Sequence, residues 1–116
     1  KMSKEFIPYE EALTLKELGF DEQVLKSWSE IGTLNYGYLD IYLKAPLYQQ
    51  AFRWFRVKGY HAGIIPRYDE FHYHIKDFNT DNEYDDVYNI SSYEEAELAC
   101  LRKLIEIINQ NKDDEK

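Results

Sequence analysis

Apolar residues recur at helical spacing in two long stretches, Ala45–Lys58 and Ser91–Asn109, and at period two in tyrosine-rich segments between and before them. In the first stretch Leu47, Tyr48, Ala51, Phe52, Trp54 and Phe55 share one face, opposite Gln49, Gln50, Arg53 and Arg56. Pro46 suits its first turn and Gly59 its stop, and Trp54 and Phe55 are expected at the centre of the core. The last stretch opens on Ser91 or Ser92 with Glu94 or Glu95 three residues on, the pattern of a capping box. A shorter helix is predicted from Pro8 to Leu18, with Glu10 and Glu11 at its positive end and Gly19 after its last turn.

Two hairpins follow from the period-two segments. Val24–Ser29 and Thr33–Leu39, extendable to Tyr42, flank a turn at Glu30-Ile31-Gly32, and Gly37 inside the second strand suggests a bulge. Tyr60–Arg67 and Phe71–Phe78 flank Tyr68-Asp69-Glu70. In the latter strand Phe71, Tyr73 and Ile75 point one way and His72, His74 and Lys76 the other, which gives the sheet one wet face. Asn79–Asp86 is read as a polar loop, Val87–Ile90 as a short edge strand, and 111–116 as a frayed charged tail. The expectation is a single α+β domain over 1–116, ordered α-β-β-α-β-β-(β)-α. One antiparallel sheet of four or five strands would be covered on one face by the two long helices.

Composition narrows the function more by exclusion than by suggestion. The chain carries 22 acidic against 14 basic residues, a net charge of −8, which argues against phosphate backbones and anionic membranes as partners. No apolar run approaches the roughly 20 residues of a membrane span. The start lacks the apolar stretch of a secretory signal, and Lys1 before Met2 reads as the remnant of a tag. Cys100 is the only cysteine, so an intrachain disulfide is impossible and a reducing, cytoplasmic setting is expected.

Three segments are distinctive: Phe6-Ile7-Pro8-Tyr9-Glu10-Glu11-Ala12, Ala45–Arg56 and Tyr93–Leu101. Together they resemble small uncharacterised proteins encoded in phages, prophages and mobile regions of gut bacteria. The resemblance covers both ends and the central helix and carries no activity or catalytic residue with it. It implies a small accessory protein acting inside a bacterial host.

The sharpest local chemistry is Asp77, Asn79, Asp81, Glu83 and Asp85, oxygen donors at alternate positions as in a calcium loop. Tyr88 stands where the closing glutamate belongs and a strand precedes the loop, so a solvated acidic loop competes with that reading. His72 and His74 on one strand face, with His61 nearby, could bind a metal but want a third ligand. Glu97 falls on the apolar arc of the last helix and needs a partner there. With no catalytic set and no cofactor motif, the expected function is a non-enzymatic protein-binding module contacting a host component through an acidic, tyrosine-rich surface. The alternative is capture of a nucleotide or other planar small molecule by Tyr36, Tyr38, Arg53, Arg56 and Arg67.

Overall fold

Every predicted helix forms, and both predicted hairpins form, in the computed structural model, which describes residues 2–37, 42–86 and 90–114. A short 3-10 turn, Met2–Glu5, leads into α1 (Tyr9–Glu17), β1 (Lys26–Trp28), β2 (Leu34–Tyr36), β3 (Leu43–Ala45) and α2 (Tyr48–Val57). Then come β4 (Tyr60–Arg67), β5 (Glu70–Asp77), β6 (Asn82–Asp85) and α3 (Tyr93–Asp114). The fold is α+β with all strand pairs antiparallel. The strands form two sheets of three, β2-β1-β3 and β4-β5-β6, in place of one sheet of four or five. The chain divides correspondingly into two compact units, Lys1–Ala51 and Phe52–Lys116.

The difference comes from two strands hidden to periodicity. Ala45 ends β3 and does not begin α2, because the residue before a proline is driven to extended backbone. β3 then returns along the free side of β1, pairing Lys26 with Ala45 and Trp28 with Leu43, so the first sheet closes locally. β6 lies inside the segment read as a polar loop; its side chains answer charge on β5, so it shows no apolar alternation.

In the first unit Pro8 stands at the N-cap of α1, and Gly19, at φ 104°, turns the chain after Leu18. Ala12 and Leu15 of α1 are buried, and the helix packs against β3. The strand leading into α1 is tied back twice: Ile7 N–H donates to the Pro46 carbonyl at 2.8 Å, and Trp28 Nε1 donates to the Ile7 carbonyl at 3.0 Å. The hairpin turn is as predicted, with Ser29 bonded to Gly32 and Thr33. β2 stops at Tyr36, short of the Leu39 expected, because Gly37 takes φ 74° and donates to the Leu25 carbonyl. Residues 38–41 lie outside the described residues.

In the second unit α3 covers one face of β4 and β5. Ala96, Cys100, Leu101, Leu104 and Ile107 of α3 are buried, as are Tyr73 and Ile75 of β5. Trp54 and Phe55 of α2 are buried as expected, their rings edge to face at 5.0 Å, and Phe55 meets Tyr60 at 6.5 Å. Ser92 and Glu95 form the reciprocal cap: Ser92 Oγ accepts from Glu95 N–H at 3.2 Å and donates to its carboxylate at 3.0 Å. α3 does not fray at Asn111. Its Nδ2 donates to the Tyr60 hydroxyl (2.9 Å) and to Asp77 Oδ2 (3.2 Å), which holds the helix regular to Asp114.

Candidate interaction surface

The alternation along β5 sorts its side chains as predicted, Phe71, Tyr73 and Ile75 to one face and His72, His74 and Lys76 to the other, and it adds Asp77, buried, to the inner face. On the wet face β6 supplies carboxylates in register. Glu83 is paired with Lys76 and Asp85 with His74 across the ladder. Asp85 Oδ1 lies 2.7 Å from His74 Nδ1 and Glu83 Oε1 lies 3.0 Å from Nε2 of the same ring. His72 is held between Asp86 at 2.9 Å and Glu70 at 3.4 Å. Lys76 reaches Asp81 at 2.6 Å, and that hydrogen bond raises the lysine above its ordinary value. Asp86 also ends β6: its Oδ1 accepts the Tyr73 amide (2.9 Å) that the next backbone carbonyl of the strand would otherwise take. The predicted edge strand at 87–90 lies largely outside the described residues, with Ile90 alone seen, accepting from Phe71 N–H at 2.8 Å.

This arrangement disperses the oxygen donors of the calcium pattern. Asp77 is fully buried and accepts Asn79 N–H and Nδ2 on Oδ1, and Thr80 Oγ1 and Asn111 Nδ2 on Oδ2. Burial pushes this carboxyl up, but the four hydrogen bonds outweigh it and hold the group below its ordinary 3.8. Asn79 Nδ2 also donates to the Lys58 carbonyl at the end of α2, while Asp81 faces Lys76, Glu83 faces Lys76 and His74, and Asp85 faces His74. Among the described residues no three His, Cys, Asp or Glu side chains converge to hold a metal ion. Neither His72 nor His74 gains a third ligand by this geometry, and His61 instead stands edge-on to Phe78 at 4.7 Å.

The residues of the planar-ligand reading fall in both units. Tyr36, 80% exposed, lies in the first unit under Lys26 Nζ at 4.4 Å. Arg53 and Arg56 are exposed one turn apart on α2, and Arg67 is the last of the eight residues of β4. Tyr38 lies outside the described residues. Glu97 is half-buried and raises the Tyr93 and Cys100 side chains by its charge, after the larger effect of burial on each. Burial drives Cys100 to about 12, which leaves an inert thiol.

What periodicity did not single out is the tip of the β4–β5 hairpin. Arg67 pairs with Glu70, so Tyr68 and Asp69 form a two-residue loop. Tyr68 adopts φ 55°, a left-handed conformation that favours glycine, and its side chain is entirely exposed at 103%. Ile65, Pro66 and Arg67 beside it are exposed too. The usable signal was the two-residue gap between alternating runs, together with Pro66, which marks an edge strand. Comparison with protein families, with curated proteins and with solved structures returned no match to this chain.

Proposed function

We propose that this chain is a non-enzymatic binding module that docks a protein of a bacterial host through the β4–β5 hairpin. The observation that carries the reading is Tyr68. A left-handed conformation costs a non-glycine residue roughly 1–2 kcal/mol, and full exposure returns nothing from burial within the chain. A tyrosine kept under those terms beside an arginine and two exposed apolar residues matches the composition of interface hot spots. The occupied imidazoles of β5 and the inert Cys100 support a role without catalysis. A host protein as the target follows the expectation, drawn from the terminal and central segments, of a phage or prophage accessory protein, and is part of the proposal.

The test is capture from bacterial lysate by the parent and by Tyr68→Gly. The glycine variant should unfold at a slightly higher urea concentration, since it relieves the left-handed residue, and should lose the captured protein. Equal capture by both variants would remove Tyr68 from the interface and leave the reading without its main support.

A further inference from the structure

The hairpin that presents Tyr68 also presents an open strand edge. The Phe78 amide donates to the Gly59 carbonyl, one step beyond the Tyr60–Asp77 pair. Hydrogen-bonded pairs alternate along an antiparallel ladder, so His61, Gly63, Ile65 and Arg67 exchange bonds with β5. The amides of Ala62 and Ile64 therefore face away from β5, and among the described residues no strand pairs with that side of β4. Ala62 and Ile64 are only half-buried although they lie on the inner face, whereas Ile75 of β5 is fully buried there. Pro66, lacking an N–H, closes the outward row at the hairpin end.

Charge identifies what such an edge would accept. From Ile41 to Tyr68 the chain carries five of its 14 basic residues and none of its 22 acidic ones. β4 itself carries no acidic residue in an otherwise acidic chain, with His61 and Arg67 on its wet side and Glu70 of β5 opposite Arg67 in the ladder. The opposite edge of the same sheet shows the complementary pattern, because β6 places Glu83 and Asp85 against Lys76 and His74 and turns Tyr84 the other way. We infer that β4 binds an extended segment of a partner protein that alternates acidic and apolar residues, added as a fourth antiparallel strand through Ala62 and Ile64. This rests on the hairpin reading and names the partner's chemistry: backbone bonds supply affinity, and carboxylates facing His61 and Arg67 supply selectivity.

The probe is a fluorescent peptide of alternating glutamate and valine, followed by anisotropy against the whole chain at low salt. It should bind, and an alternating lysine and valine peptide should not. Ala62→Pro deletes an outward donor without touching the bonds to β5, as Pro66 already does, and should weaken binding about tenfold. Arg67→Glu should weaken it comparably. If Ala62→Pro proves unstable, N-methylation of alternate peptide residues removes the same bonds from the other side. Equal binding of the lysine peptide, or indifference to both Ala62→Pro and N-methylation, overturns the inference, as does no binding at all. Sedimentation that shows self-association abolished by Ala62→Pro would assign the edge to a second copy and overturn it also. Loss of lysate capture in Tyr68→Gly but not in Ala62→Pro would leave the hairpin tip as the docking site and the edge inference alone refuted.

Discussion

Asp77 is the residue whose alteration tests the architecture of the second unit most severely. Its carboxylate joins three elements: the end of β5, the turn through Asn79 and Thr80, and Asn111 near the end of α3. Asp77→Asn keeps an oxygen for the two Asn79 bonds but turns an amide NH2 toward Thr80 and Asn111. The threonine hydroxyl can reverse its role, whereas the Asn111 amide meets a second donor. Hydrogen bonds to a charged acceptor contribute roughly 1.5–3 kcal/mol each, and two are lost or reversed without full additivity, so the expected cost is about 2–4 kcal/mol.

The pH dependence carries an independent signature. Because the folded carboxyl titrates below 3.8, its contribution is fully present above the unfolded aspartate range and is lost as pH falls through the lower folded value. Urea unfolding of parent and variant at neutral pH and at several points below about pH 4 measures both effects. The gap between the two proteins should narrow as the solution is acidified. A variant that unfolds at the parent midpoint, or a gap that stays constant into acid, would refute the assignment of Asp77 as an ionised acceptor.

Four further outcomes follow from the packing. Trp54→Ala should cost about 3–5 kcal/mol in urea unfolding, because the indole is 9% exposed, while Arg53→Ala on the exposed face should cost little. Gly59→Ala should destabilise by about 1–3 kcal/mol, since φ is 100° and the new Cβ would lie 2.7 Å from Asn79 Nδ2, displacing the side chain that bonds the Lys58 carbonyl. Cys100, buried and driven to about 12, should resist a thiol reagent at pH 8 and react only after denaturant is added. Ser92→Ala should cost about 1 kcal/mol by removing the reciprocal cap, a loss readable as earlier fraying of α3 in amide exchange.

The legible parts of the fold were those in which one physical demand determines the residue pattern. α2 had to bury Trp54 and Phe55 on one side and keep Arg53 and Arg56 in water, so spacing alone revealed it. β5 alternates for the same reason, with water on one face and α3 on the other. β3 was hidden because three residues are too few to show a period, and Pro46 gave a helix-start signal that drew Ala45 into the helix. β6 was hidden for a different reason. Of its two inward positions, Asn82 and Tyr84, only Tyr84 is aromatic, and its outward residues answer Lys76 and His74 of β5, a relation between strands that no single segment displays.

The same distinction explains why the candidate surface was less legible than the core. Acidic residues at alternate positions from Asp77 to Asp85 look like a ligand set when read along the chain. Folded, they divide into a buried acceptor that joins β5 to α3 and an exposed row that neutralises the wet face of the sheet. That neutralisation is one-sided. β6 supplies carboxylates to β5, whereas on the wet side of β4 His61 has Lys76 opposite it in the ladder and Arg67 has only Glu70, which also reaches His72. A sheet whose two edges differ in this way favours addition of an acidic strand at β4 and repels one at β6. Polarity of that kind is a property of the assembled sheet, and it assigns to β4, with Tyr68 at its end, the surface on which the proposed partner would lie.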